Sequence, residues 1–243
     1  MLFGILFGIH SEQELMEFSM NHLFLMTIIA NIVALTIFVL FFKFKKKNIS
    51  KEWNLVSVKP KTYFLPCIAL FLLSFAWTFA TYDLSFANAE QMKKSTAFYS
   101  NIFPGFGIIM MAVTLLAAQP IMEEVLCRGI MLNNLKNSMP TETALLVSSL
   151  LFGIIHLMAG GIWLAVGATL MGICFGIVFV KTKSLYIAIA AHAFANLPDF
   201  IMPYLPQLAT KTRTLSALAL AIISILMIVL FCIKKQEHDI QPG

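Results

Sequence analysis

From residue 23 to residue 42 the chain runs twenty residues without a charge, then stops at the basic cluster Lys43-Phe44-Lys45-Lys46-Lys47. A run of that length is what a helix needs to cross the hydrocarbon core of a bilayer, about 30 Å at about 1.5 Å per residue. Comparable runs recur at about 63–81, 103–121, 141–159, 162–180 and 215–233, with a shorter one at 185–197 that Pro198 cuts off. Composition agrees: 59% of the 243 residues are apolar and only 12% charged, with a mean hydropathy of +0.85. A soluble domain is nearer half apolar and a quarter charged, and so few charges cannot build a water-facing surface. The sequence therefore predicts an all-α polytopic membrane protein with about seven transmembrane helices.

Basic residues set the orientation. In a soluble chain a net charge of +5 would direct attention to nucleic acid. Here the lysines lie between the apolar runs, where the positive-inside rule accounts for them. The cluster at 43–47, Arg128 with Lys136, Lys181 with Lys183, and Lys234 with Lys235 fall on one side of alternating spans; Lys93, Lys94, Lys211 and Arg213 fall on the other. The expectation is a multi-pass cell-membrane protein, N-terminus outside and C-terminus cytoplasmic, surrounded by membrane lipid and without a nucleic-acid partner.

The apolar stretch 1–10 is short and lacks a basic leader, so it reads as an interfacial segment and not as a signal peptide or a span. Segment 82–101 reads as a polar loop, Asp199 as a solvated loop residue in preference to one lining a cavity mouth, and the tail beyond Lys235 as cytoplasmic and solvated. Cys67, Cys127, Cys174 and Cys232 stand far apart with no CxxC spacing and read as reduced core residues. Gly172-x-x-x-Gly176, with several glycines just before it, suits close helix packing. These features divide the chain into peripheral membrane helices over 1–103, a tight core over 104–200, and a last helix with its tail over 201–243.

Ionisable groups inside a span are costly unless paired or functional, and three places carry them. Glu124 and Arg128 stand four apart, the acid first, the favourable order for a helical ion pair; Glu123, about 100° round the helix, has no such partner. Pro120 removes a helical hydrogen bond, frees the carbonyl of Leu116 and predicts a kink just before the glutamates. His156 lies in the fourth apolar run. His192 and Asn196 share one face of the sixth. Any one of these could be interhelical glue, but one cavity holding Glu123, His156, His192 and Asn196 would account for all of them. A carboxylate there is a natural general base, and imidazole and amide N–H groups stabilise an oxyanion. No Ser or Cys stands beside a base at motif spacing, so water is the expected nucleophile.

Glu123-Glu124-x-x-x-Arg128, Phe152-x-x-x-His156 and His192-x-x-x-Asn196, in that order, resemble the three motifs of the CPBP family, also called the Abi family. It comprises CAAX prenyl endopeptidases and bacteriocin-processing or immunity proteins. Gly129 after Arg128 and Ser148-Ser149-Leu150-x-Phe152-Gly153 before the histidine are similar too, and the resemblance covers about 120–196. It implies an intramembrane endopeptidase in which Glu123 and His156 position and deprotonate a water. His192 and Asn196 would then hold the oxyanion, with Glu124 and Arg128 supporting them from behind. Two options stay open for the chemistry: Glu123, His156 and His192 as ligands to a divalent metal such as zinc, or metal-free, glutamate-based hydrolysis. The compact chain is similar to the bacterial branch. There the resemblance implies processing of peptide pheromone or bacteriocin precursors, or bacteriocin immunity; cleavage of CAAX-like tails is the eukaryotic use.

Two other functions compete. Buried Glu and His also build proton relays in transporters, although no inverted repeat is visible. A non-catalytic scaffold or immunity factor is the other, but a scaffold has no need of unpaired intramembrane acids. One tension accompanies the leading reading, which places cleavage near the cytoplasmic side. With the spans above, Glu123 falls near the cytoplasmic end of its helix, whereas His156 is about 15 residues, roughly 22 Å, into the next. A third helix extended over about 106–137 and kinked at Pro120 would let them meet, as would a fourth span that starts beyond Thr141.

Overall fold

Residues 11–205 and 208–234 are described in the computed structural model; the apolar segment 1–10 and the tail beyond 234 lie outside the described residues. A capping box starts α1 (Glu12–Asn21): the Glu14 amide donates to the Ser11 hydroxyl at 3.1 Å and the Ser11 amide to the Glu14 carboxylate at 3.2 Å. Then come α2 (Leu23–Phe44), the short α3 (Ile49–Glu52), α4 (Lys61–Ala80), α5 (Tyr82–Ile102) and α6 (Phe106–Leu135). α7 (Thr141–Leu157) and α8 (Gly160–Thr182) form a hairpin, followed by α9 (Leu185–Ala195), the short α10 (Leu197–Ile201) and α11 (Thr210–Ile233). No strand occurs among the described residues, and the protein is an all-α, multi-pass membrane protein. Among the described residues the expected seven crossings resolve into five helices long and apolar enough to span, α2, α4, α6, α8 and α11, and two shorter apolar stretches, Thr141–Leu157 and Leu185–Ile201.

Two expectations need correction. Segment 82–101, read as a loop for its polarity, is the helix α5. Its buried residues Ala89, Ser95, Thr96 and Tyr99 recur at helical spacing, and Gly107 of α6 lets the Thr96 carbonyl come so close that a Cβ there would collide with it. Polarity therefore described the outer face of α5 and not its backbone state. The second concerns α4, assigned to the periphery with the rest of 1–103. α2 does lie outside, with Ile29 and Ile32 more than half exposed. α4 instead contributes Cys67 and Leu70 to the same buried cluster as Cys127, Phe152, Phe175, Ile187 and Phe231. It is a central helix, because its small residues Cys67, Ala69 and Ala76 let neighbours approach.

The α7–α8 hairpin rests on glycine. Gly161 turns it at φ 76, a left-handed conformation costly for other residues. A Cβ on Gly153 would strike the Thr169 hydroxyl and the Ala165 carbonyl, while Gly172 and Gly176 face Ser149 and Leu145 of α7. The Gly-x-x-x-Gly pair is thus the contact face of α8.

α6 carries two π-helical segments, Thr114–Ala118 and Val125–Leu132, on either side of the α-helical Gln119–Glu124. Pro120 has no N–H to give, and the wider turn before it accommodates the gap without breaking the helix. Because α6 runs on to Leu135, Glu123 lies twelve residues, about 18 Å, from that end. That depth is close to that of His156 in α7, so extension of the third helix removes the tension between them.

Candidate active site

α6, α7 and α9 bring Glu123, His156 and His192 to one cavity of about 390 Å³, which Asn196, at the end of α9, also lines. Beneath it lies Arg128, fully buried on the same helix as the two glutamates. One guanidinium nitrogen donates to Glu124 Oε1 at 2.9 Å and the other to the Gly172 carbonyl at 2.6 Å. The group lies over the Phe152 and Phe175 rings, 5.2 and 5.4 Å from their centroids, a favourable cation–π arrangement. Gly172 allows this close approach: a Cβ would lie 3.2 Å from Phe152 and 3.4 Å from the guanidinium.

The ion pair anticipated from the i,i+4 spacing does more than hold a helix. Glu124 Oε1 also accepts from His192 Nδ1 at 2.8 Å. An ionised carboxylate only accepts, so Nδ1 carries the hydrogen and Nε2 faces Glu123 Oε2 at 3.6 Å. Stacking on Phe175, at 4.3 Å and 17°, fixes the ring plane. His192 therefore stands between the two glutamates, hydrogen-bonded to Glu124 and within ion-pair distance of Glu123. Glu124 is 0% exposed and Glu123 25%, so only Glu123 can meet a water or a substrate.

His156 donates from Nδ1 to the Phe152 carbonyl one turn back, at 2.8 Å. The neutral ring then offers Nε2 as an acceptor. Asn196 Nδ2 donates to the Leu115 carbonyl at 2.9 Å. In a π turn the bond to residue 115 would come from residue 120, which is proline. Asn196 supplies the missing donor, and the carbonyl that takes it is one residue before the Leu116 expected from α-helical register. Its other amide N–H is left for a ligand. Replacing Asn196 with Asp would set an acceptor against that carbonyl; thermal unfolding in detergent should show a loss of about 1–3 kcal/mol. An unchanged Tm would mean that the amide is not needed there.

The three residues considered as zinc ligands do not form a ligand set. Among the described residues no three His, Cys, Asp or Glu side chains are placed to hold a metal ion. The four cysteines are all free thiols. Ser74, Trp77, Thr78 and Gln119 also line the cavity and are absent from the residues expected there from sequence; Ser74-x-x-x-Thr78 on an apolar helix is the available signal. Asp199, expected in solvent, lines the cavity as well.

Comparison with known proteins gives one match. A family model described as type II CAAX prenyl endopeptidase Rce1-like matches residues 105–198. No curated protein and no solved structure matches the chain. The matched stretch contains all three polar motifs and the helices that carry them, α6 to α9. Over residues 105–198 the chain is similar to the Rce1-like type II CAAX prenyl endopeptidases, which are proteases of the CPBP family.

Proposed function

We propose that the protein hydrolyses peptide bonds of membrane-seated peptides with a water activated by Glu123 and His156. The observation that carries this reading is His192 held between two glutamates, only one of which reaches the cavity. In a low-dielectric site a neutral cluster is favoured. Glu123, Glu124 and Arg128 need one further proton for neutrality, and His192 Nε2 and Glu123 Oε2, in ion-pair contact at 3.6 Å, are the two places for it. With the proton on His192, Glu123 is an ionised base and the imidazolium Nε2–H is a donor. A water hydrogen-bonded to Glu123 and to His156 Nε2 then attacks the carbonyl carbon, giving its proton to Glu123. His192 Nε2–H and the remaining Asn196 N–H stabilise the oxyanion. Collapse breaks the C–N bond, and Glu123 passes its proton to the leaving amine.

Supporting this use of the cavity are its apolar walls, which suit a hydrophobic segment, and the presence of Ser74 and Thr78 in its lining, since hydroxyls bind peptide groups. Peptide pheromone precursors, bacteriocins and CAAX-like tails are the substrates to try. The test is cleavage of a panel of hydrophobic and lipid-anchored peptides by purified protein in liposomes, for wild type and His156→Ala, with and without a chelator. Wild-type cleavage should resist the chelator and fall about 10²–10⁴-fold in the variant. A folded His156→Ala protein that cleaves at the wild-type rate overturns the proposal.

A further inference from the structure

The basic residues and the cavity occupy opposite ends of the bundle. At one end Lys181 Nζ donates to the Cys232 carbonyl at 2.5 Å, the Ser184 hydroxyl to the Val56 carbonyl at 2.5 Å, and Asn133 to the Glu52 carbonyl at 3.0 Å. These bonds join the end of α3 and the approach to α4 with the C-terminal ends of α6, α8 and α11 and the start of α9. That end bears the lysines at 43–47, Lys51, Lys136, Lys181, Lys183 and Lys234. At the other end Arg213 pairs with Asp83 at 3.4 Å and the Leu208 amide donates to the Tyr82 hydroxyl at 3.3 Å, joining the end of α4 to the starts of α5 and α11. Only Lys93, Lys94, Lys211 and Arg213 lie there among the described cations.

The cavity draws its walls from the second end: Thr81 closing α4, Gln119 in the first half of α6, His156 closing α7, Leu164 opening α8, and Asn196 and Asp199 beyond α9. Toward the lysines it has a floor. Glu124 and Arg128, both 0% exposed, close it, and below them Phe42, Trp53, Leu132, Phe179 and Leu185 form a continuous buried cluster.

Since lysines and arginines between spans mark the cytoplasmic face, we infer that the cavity opens to the extracytoplasmic side and takes a hydrophobic peptide segment presented from that leaflet. This reverses the cytoplasmic-side cleavage expected from the sequence, which followed from ending the third span at residue 121. The word substrate rests on the endopeptidase reading; the orientation does not.

Single cysteines test the orientation in a full-length background whose four native cysteines are alanine. Asp83→Cys and Lys211→Cys report the cavity end, Lys51→Cys and Glu142→Cys the lysine end. In intact cells a membrane-impermeant maleimide should label the first pair at least about tenfold more than the second, and permeabilisation should equalise them. Equal or reversed labelling of intact cells overturns the inference. If the cysteine-free chain does not fold, trypsin on intact and permeabilised cells reads the same faces of the wild-type chain, with cuts at 43–61 expected only after permeabilisation. A quenched fluorescent hydrophobic peptide added to the medium completes the test. Wild-type cells should cleave it and Glu123→Gln cells should not; solubilised protein that cleaves it while intact cells do not overturns the substrate side. Labelling as expected with no cleavage by solubilised protein sinks the endopeptidase reading and leaves the orientation standing.

Discussion

Glu123→Gln is expected to abolish peptide hydrolysis while leaving the fold intact. Glutamine has nearly the same shape as glutamate but cannot take a proton from water, and loss of a positioned general base lowers rates by about 10²–10⁴-fold. At about 1.36 kcal/mol per decade, that is roughly 3–5 kcal/mol of transition-state stabilisation. The side chain is 25% exposed to the cavity and bears on the cluster only through His192, so unfolding in detergent should stay close to wild type. The substitution also removes the reason for the extra proton: Glu124 and Arg128 alone are neutral, and His192 then keeps only the hydrogen on Nδ1. Two functions fall together, the base and the Nε2–H donor, so adding His192→Gln to Glu123→Gln should cost much less than either change alone. Independent, multiplying losses in this double-mutant cycle would show that the two residues do not share a proton. Full activity in folded Glu123→Gln protein would remove Glu123 from the chemistry altogether.

Arg128→Met should have the largest effect on stability. It strands the Glu124 carboxylate, 0% exposed, where Oε2 already has no hydrogen-bond partner. Breaking a buried pair by removing one member costs about 3–5 kcal/mol, a large part of the roughly 5–15 kcal/mol that holds a typical protein folded. Little folded protein should be recovered. Arg128→Lys should rescue only in part: one ammonium cannot reproduce the two-pronged reach to Glu124 and the Gly172 carbonyl, nor stack between Phe152 and Phe175. Combining Arg128→Met with Glu124→Gln removes both charges and should restore much of the Tm. Activity should stay low, because His192 has lost the carboxylate that sets its tautomer. Tm and cleavage rate measured on the same preparations separate the two roles. Activity returning in step with stability would mean that Glu124 acts only as a structural counter-ion.

What the sequence determined by itself is the class of fold and which polar residues stand on apolar helices. Twenty uncharged residues before a lysine cluster leave a backbone in lipid only the helix as a way to satisfy its own hydrogen bonds, and each apolar run is helical in the structure. Desolvation makes a membrane-buried acid or histidine conspicuous, so Glu123, Glu124, Arg128, His156, His192 and Asn196 could be singled out before any coordinates. The i,i+4 rule likewise found the Glu124–Arg128 pair, since both members lie on one helix. Everything that depended on which helix faces which was out of reach. Hydropathy cannot tell α4, enclosed by helices, from α2, facing lipid, because either neighbour accepts an apolar side chain. It misjudged α5, whose polar face hid a helix. Local spacing could not show that Glu124 holds His192 as well as Arg128, or that Asn196 replaces the donor missing at Pro120. Those bonds join residues 68 and 81 positions apart in the chain. Only tertiary packing decided them, and with them the end of the bundle on which the cavity opens, because a hydrogen bond is set by distance and direction in space and not by separation along the sequence.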